Sequence, residues 1–466
     1  MEKNLKKDFL EFLKKNNIAL LEEGNDYIKI GLSSEDPYLL DIIKRYTKKR
    51  IIIEEIKKEK LDSFYESLSF IEDKEAEELA SEAPIVRLVN EIIEEAIKRK
   101  ATDIHIEPYE KRLIIKYRID GILHSFNSFP VYLHSAVISR IKILSQLNIA
   151  EKRLPQDGKF PFRMNGKEYD IRVSILPTIY GESAVLRILN KNKVDIELDK
   201  LGFSDENLQK IKRLINVPNG MILVTGPTGS GKTTTLYALL KILNDGTRKI
   251  ITVEDPVEYT IQGITQVQIN EKIGLTFSKT LRSILRQDPN IIMIGEIRDR
   301  ETAEIAVRAA LTGHLVLATL HTNDSAGAFT RLINMGVESF LVASSVIGVI
   351  SQRLVRRICE NCKDSFKISE TDRNIFKLYG VDPPEIMHKG SGCTLCNKTG
   401  FYGRTAIAEV LETSESIREA VAAKEEASKI RKLAESEGMV PLILDGLKKV
   451  KGGVTTIGEI LRIWNI

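Results

Sequence analysis

Long apolar runs are missing from these 466 residues, and the longest suspect stretch, Phe340–Ile350, falls far short of the roughly 20 residues that a bilayer span needs. That excludes a membrane-crossing helix. The N-terminal MEKNLKKDFLEFLKK is amphipathic and charged throughout, unlike a signal peptide with its unbroken apolar segment. The expected location is therefore the cytoplasm, with any membrane reached only through partners. An excess of charge of one sign is missing too. The net charge is +4, and no dense Lys/Arg block with interleaved aromatics appears, so nucleic-acid binding gains no support. Internal repeats and low-complexity segments are also lacking. What remains is 42% hydrophobic and 29% charged, an ordinary globular composition on a chain too long for one core.

The densest local signal is Gly226-Pro227-Thr228-Gly229-Ser230-Gly231-Lys232-Thr233, entered from the apolar run Met221–Thr225 and followed by helix-compatible Thr234–Leu240. Glycines at these positions let consecutive N–H groups turn toward phosphates, and a helix start adds its positive end to the same spot. Lys232 is then placed for the β- and γ-phosphates of ATP and the Thr233 hydroxyl for Mg2+, with Thr234 opening the helix. The bland alternative is a glycine-rich turn. Against it stand the filled pattern and the strand–loop–helix context.

Cysteine is scarce, yet all four residues fall into two CxxC pairs, Cys359/Cys362 and Cys393/Cys396. Two such turns make a closed tetrathiolate shell for a structural Zn2+. Redox dithiols or disulfides are the competing readings; the first needs only one CxxC beside a βαβ unit, and the second is rare in the cytosol.

Along the chain, residues 1–75 alternate amphipathic pieces (Lys7–Lys15, Tyr38–Tyr46) with β-like runs (Tyr27–Gly31, Arg50–Glu54), which predicts a small α/β module. Glu72–Glu82 reads as a solvated linker or helix. Residues 82–195 open with a helical pattern over Pro84–Lys100. Predicted strands follow at Asp103–Glu107, Arg112–Ile119, Lys167–Ser174 and Ser183–Leu189, with one helix from His134 to about Leu147, an α+β arrangement. Within 201–466 the runs Met221–Thr225, Ile250–Glu254, Ile291–Ile294 and Leu315–Thr319 suit strands buried on both faces of a parallel sheet, with Glu301–Leu311 as one crossover helix. The fold class is α/β, with the ligand expected at the carboxyl ends of these strands. Residues 355–402 carry the cysteines, and 403–466 read as a mostly helical tail.

Carboxylates just past those strand ends are the natural acid–base groups for ATP hydrolysis. Glu254 ends Ile250–Glu254, Glu258 lies four residues beyond it, and Glu296 follows Ile291–Ile294 and Gly295. His314 and His321 flank Leu315–Leu320, and His321 is placed to sense a γ-phosphate. Each of these residue types is also common as a solvated strand-end group. The arginines Arg172, Arg187, Arg282, Arg286 and Arg298 supply positive charge without distinguishing themselves by composition.

Taken together, Thr102-Asp-Ile-His-Ile-Glu-Pro108, Pro155-Gln-Asp-Gly158, the glycine loop, Ile251-Thr-Val-Glu-Asp-Pro256, Arg282-Ser-Ile-Leu-Arg286, Gly295-Glu-Ile-Arg-Asp299 and Thr312-Gly-His with His321-Thr322 resemble the secretion-superfamily ATPases. The tetracysteine segment after Gln352-Arg-Leu-Val-Arg356 is similar to that of the type II secretion and type IV pilus assembly ATPases. The closing Gly438, Asp445-Gly446 and Gly453-Val-Thr-Thr456 are similar as well. The resemblance runs from about residue 82 to the end. It implies a homo-hexamer of subunits, each with a PAS-like α+β domain hinged over a RecA-like motor domain. It also implies Glu254 as the water-activating carboxylate, Glu296 as the Walker B glutamate and His321 as part of the histidine box. Arg172 and Arg187 become nucleotide-sensing arginines brought in by the PAS-like domain, and Arg286 stays a further candidate for the catalytic site. The implied partners are inner-membrane platform and docking proteins of a secretion or pilus machine, with neither nucleic acid nor direct membrane insertion. The N-terminal region is shorter than in that family, and no version of its longer cyclic-dinucleotide-binding domain is found, which favours secretion over pilus extension.

Overall fold

The computed structural model describes residues 18–23, 27–32, 43–44, 47, 49–55, 83–190 and 197–464. The amphipathic piece Lys7–Lys15, most of Tyr38–Tyr46, and the linker or helix Glu72–Glu82 lie outside these residues. The chain divides into two compact units, one of residues 1–117, 124–162 and 170–188 and the other of residues 118–123, 163–169 and 189–466.

In the first unit, β1 (Ala19–Glu23), β2 (Tyr27–Leu32) and β3 (Arg50–Glu55) form a small sheet, β1 antiparallel and β3 parallel to β2. Helix α1 (Ala83–Lys98) follows the predicted period, burying Ile85, Val89, Ile92, Ile93 and Ala96. A six-stranded sheet then runs in the order β6-β5-β4-β9-β8-β7. Its strands are β4 (Ala101–Pro108), β5 (Arg112–Ile119), β6 (Ile122–Pro130), β7 (Gln156–Met164), β8 (Lys167–Thr178) and β9 (Gly181–Asn190), with α2 (His134–Leu144) between β6 and β7. The sequence pattern predicts only the inner four strands, β4, β5, β8 and β9. The buried Tyr117 hydroxyl donates to the Ile92 carbonyl (2.8 Å), tying sheet to helix.

The second unit opens with α3 (Asp205–Ile215), capped by the Ser204 side chain, and continues with β10 (Gly220–Thr225), α4 (Lys232–Leu243), β11 (Ile250–Glu254) and β12 (Thr265–Gln268). Next come α5 (Phe277–Ile284), β13 (Ile291–Ile294), α6 (Arg300–Leu311), β14 (Leu315–Leu320), α7 (Ala326–Asn334), α8 (Ser339–Ser345) and β15 (Val346–Ile358). The run Phe340–Ile350 thus turns from helix to strand within itself. The seven-stranded sheet has the order β12-β11-β13-β14-β10-β15-β18, parallel except at its last pair. Its strands β10, β11, β13 and β14 are buried at every position because both faces are covered. Met221, Leu223, Val316, Ala318 and Leu320 enter one core cluster, and Ile222, Val224, Leu315 and Leu317 enter the other.

One expectation is corrected at the end of the chain. The stretch read as helical from about Arg404 begins as β18 (Phe401–Glu412), which pairs antiparallel with β15 from Gly348↔Glu412 onward. Its Ala/Glu/Leu content favours helix locally, but a strand there covers an otherwise open sheet edge, and burial decides. Before β18, β16 (Lys363–Lys367) and β17 (Ile386–Gly390) form a hairpin-like pair with α9 (Glu370–Leu378) between them. Four helices close the chain: α10 (Glu415–Ala422), α11 (Ala427–Ser436), α12 (Leu442–Lys451) and α13 (Ile457–Trp464). Phe376 and Met387 join Val355, Ile407, Leu447 and Ile460 in one apolar cluster, which anchors the cysteine segment to these helices.

Candidate functional site

Parallel register brings the chemistry to one edge of the sheet. Thr225 pairs with Leu320, Ala318 with Ile294, and Ile294 with Val253, so the glycine loop, His321, Glu296 and Glu254 all leave their strands at the same end. The loop turns on Gly226 (φ 147°), Gly229 (φ 78°) and Gly231 (φ 86°), conformations that side chains with a Cβ rarely adopt. A Cβ on Gly229 would meet nothing within 4 Å, whereas one on Gly226 would collide with the Gln352 carbonyl and Ser230. The loop is therefore packed on its sheet side and open on the other. Pro227, Thr228 and Gly229 are exposed, as are Thr233 and Thr234 in the first turn of α4. That helix begins without any side-chain cap, so its leading N–H groups face the same opening.

Lys232 folds back onto the loop, donating to the carbonyls of Gly226 (2.9 Å) and Pro227 (3.1 Å). Burial pulls its ammonium below the ordinary lysine value, with Glu296 opposing and Arg353 adding to the fall. Glu296 is in turn salt-bridged to Arg298 and lies 3.5 Å from His321 Nε2. Arg298 also reaches Asp255 at 3.6 Å. The Glu296 turn is braced from β14: Thr319 Oγ1 donates to the Gly295 carbonyl (2.6 Å), and the Ile297 N–H donates to the Thr319 carbonyl (3.0 Å). Lys232, Glu296, Arg298 and His321 thus form one cluster of polar and charged side chains at the loop. A polyanion with a metal fits this donor set: free N–H groups and a lysine for phosphate oxygens, and a threonine hydroxyl and a carboxylate for a divalent ion.

Glu254, which the resemblance implies as the water-activating carboxylate, faces inward. It is only 3% exposed, and both oxygens are engaged inside the protein. Thr252 Oγ1 (2.6 Å) and Gln266 Nε2 (3.1 Å) donate to Oε1, and the Tyr237 hydroxyl donates to Oε2. Burial first, then the Glu254 carboxylate, raises the Tyr237 phenol above its usual range, which keeps it a donor. The same hydroxyl accepts from the Glu258 N–H at 3.4 Å, so this network carries the segment that presents half-buried Glu258.

The arginines are not gathered at the loop in the same way. Arg286, just past the end of α5, is exposed and bonds back onto that helix, at the Arg282 carbonyl (2.9 Å) and Ser283 Oγ (3.2 Å). Arg282 pairs with Glu301 at 2.5 Å. In the first unit, Arg187 stands opposite Asp103 in the β4–β9 ladder and pairs with it at 2.9 Å, and Arg172 lies half-buried in β8. Sequence reasoning overlooked Tyr237, Gln266 and Gln352. Their signal is faint: each is a polar residue inside a helix or strand stretch, with nothing in its neighbours to mark it.

The four cysteines converge. They are free thiols whose sulfurs all lie within 4.8 Å of one another. Cys359–Cys393 and Cys362–Cys396 are 3.8 Å apart and Cys393–Cys396 3.7 Å. A tetrahedral zinc–thiolate site with bonds of about 2.3 Å has sulfur–sulfur edges of about 3.8 Å, so the geometry is compatible with Zn2+. N–H groups of Gly392, Cys393 and Gly400 point at the sulfurs of Cys362, Cys396 and Cys396 (3.1–3.3 Å), the outer hydrogen bonds that a thiolate metal site uses. Asn361 Nδ2 donates to Cys393, the first cause holding that thiol down at about 6.

Among the described residues no helix is long and apolar enough to cross a membrane. Residues 78–462 match the model of the type II/IV secretion system protein family. Type II secretion system protein E of Pseudomonas aeruginosa is 48% identical over 395 residues, 84% of this chain and 78% of that protein. The type II secretion system ATPase E of Vibrio cholerae is 45% identical over 89% of this chain and 82% of its own length. The type IV pilus assembly ATPase PilB of Myxococcus xanthus is 49% identical over 82% and 68%. Among solved structures, the pilus retraction motor PilT with bound ADP superposes with TM-score 0.56 at 27% identity, over 80% of this chain and 96% of that one. The Legionella pneumophila ATPase DotB, at TM-score 0.60, 23% identity and coverage of 81% and 95%, shares the fold. With sheet order, phosphate loop and relatives in agreement, the chain belongs to the type II/IV secretion system protein family and is a secretion ATPase.

Proposed function

We propose that the chain is a hexameric cytoplasmic motor, peripheral to the inner membrane, that hydrolyses ATP to drive assembly of a type II secretion pseudopilus. The observation that carries this reading is the convergence of Lys232, Glu296 and His321 on one glycine loop in a chain whose curated relatives bear secretion names. Residues 226–234 hold the triphosphate, with Lys232 on its β- and γ-phosphates. Thr233 and Glu296 hold Mg2+, which supplies charge neutralisation when bound. His321 reports the γ-phosphate through its contact with Glu296. Residues 82–195 carry Arg172 and Arg187 as sensing groups, Arg286 adds charge from the motor, and residues 1–75 dock on a membrane partner. The second reading, type IV pilus extension, draws on the similarity to PilB.

Magnesium-dependent ATP hydrolysis measured against protein concentration, with oligomer mass recorded in the same samples, tests the motor. Activity should rise with hexamer formation. A well-formed, nucleotide-bound hexamer that hydrolyses nothing, even with a membrane partner supplied, would refute it. Stimulation by single-stranded DNA would revive a translocase reading.

The Glu254 network separates two roles. Glu258→Gln is expected to lower turnover by about 10²-fold or more while leaving stability unchanged, the effect of removing a water-orienting carboxylate. Glu254→Gln should also lower turnover, and in addition lower the melting temperature, because Thr252, Tyr237 and Gln266 then lose a charged acceptor. Should Glu254→Gln lose turnover with an unchanged melting temperature while Glu258→Gln stays active, Glu254 is the water-activating group after all.

A further inference from the structure

Gln352 lies on β15, carries no motif chemistry and is 1% exposed. A primary amide at that depth needs partners, and it has two. Its Nε2 donates to the Ser230 carbonyl (2.8 Å), and its Oε1 accepts from Thr235 Oγ1 (2.8 Å). One amide therefore clamps the glycine loop to β15 and to the first turn of α4. From this geometry we infer that Gln352 is a positioning residue of the nucleotide site, a step that rests on the nucleotide reading above.

The peptide bond supplies the mechanism. In a trans peptide the C=O of one residue and the N–H of the next point in opposite directions. Drawing the Ser230 carbonyl toward β15 aims the Gly231 N–H away from the sheet, toward the side on which Pro227–Gly229 stand exposed. That is the direction in which a phosphate oxygen is received. Without the clamp the Ser230–Gly231 peptide is free to rotate, and the donor must be reoriented at each binding event. The fit is close: a Cβ on Gly231 would sit 3.1 Å from Gln352 Nε2, and one on Gly226 would sit 2.5 Å from the Gln352 carbonyl. The amide thus packs tightly behind Gly231, and the backbone of the same residue behind Gly226, in addition to the positive φ that both glycines adopt. The next residue extends the same brace. Arg353 Nη2 donates to the Asn323 carbonyl at 2.9 Å, which holds the segment just after His321 against β15.

The test uses the full-length protein and ADP with magnesium as the probe. Gln352→Met keeps length and volume and removes both hydrogen bonds. Gln352→Asn keeps the amide but withdraws it by one methylene. Thr235→Val removes only the α4 contact. The two Gln352 variants should bind ADP roughly tenfold more weakly, the effect of one lost buried hydrogen bond at the site, and Thr235→Val should bind within about twofold of wild type. In the nucleotide-free protein, amide exchange at Gly231 should speed up in the Gln352 variants and not in Thr235→Val. Wild-type ADP affinity in either folded Gln352 variant overturns the inference. So does equal weakening by Thr235→Val, which would make the effect one of general packing. If the wild-type chain itself binds no ADP, the nucleotide reading fails first, and the outcome is distinct.

Discussion

Lys232→Ala is expected to abolish ATP turnover while leaving a folded chain of unchanged mass. The ammonium is the cation that emerges from the loop itself, 2.9 Å from the Gly226 carbonyl. Triphosphate oxygens are stronger acceptors than the two carbonyls that Lys232 now holds, so the side chain is poised to exchange them. Burial lowers its pKa, and a bound polyanion would act in the opposite direction. Nearby cations do not replace it: Arg298 is committed to Glu296 and Asp255, and Arg353 to the Asn323 carbonyl. Removing a group that stabilises charge in the transition state costs about 10²–10³ in rate, and here ground-state affinity falls with it. The stability change is small, about 1 kcal/mol or less, because the lost bonds lie at a half-exposed surface. Lys232→Arg should fail as well, since a planar guanidinium does not fit the narrow turn that admits a slim ammonium. Hydrolysis by either variant at the wild-type rate would remove Lys232 from the site.

The motor sheet and loop were legible because both are local and repetitive signals. Ile250–Glu254 and Ile291–Ile294 are buried at every position since both faces are covered, and a largely apolar run of that length between turn residues reads as a buried strand. The edges were not legible. Strands β6 and β7 stand at the two ends of the six-stranded sheet, bury almost none of their side chains fully and contain proline, so the alternation in exposure is not matched by a clear apolar–polar alternation in sequence. Strand β18 was hidden for the opposite reason: TAIAEVLE has helical propensity, and only its pairing with β15, distant in sequence, makes it a strand. At the site, Glu296 and His321 were found by their position after buried strands. The inward turn of Glu254 was invisible, because it depends on Tyr237 and Gln266, whose contact with it exists only in the fold.

Stripping metal from the cysteine cluster is expected to loosen one segment and spare the nucleotide site. As isolated without chelator, the protein should contain one zinc per chain, because four thiolates at these separations make a closed shell. Without the ion, four sulfurs within 4.8 Å of one another carry thiols whose ionised forms repel, and the loop ends they hold lose their tie. The damage should stop short of the whole 355–402 segment. Phe376 and Met387 are buried in an apolar cluster shared with the C-terminal helices, and that burial does not depend on metal. Hydrogen exchange should therefore rise at Cys359–Cys362 and at Cys393–Gly400, while the amides around Phe376 stay protected. The Cys359 N–H to Gly400 carbonyl bond (3.0 Å) should open with them. Cys393→Ser with Cys396→Ser should reproduce the chelated state without any chelator, and ADP affinity should be unchanged in both. Two results would break this account. Protein purified without chelator and lacking stoichiometric metal would return the cysteines to redox or purely structural roles. Loss of ADP binding on mild chelation would show that the cluster and the glycine loop are coupled through β15, the strand that runs from Gln352 to the first cysteine.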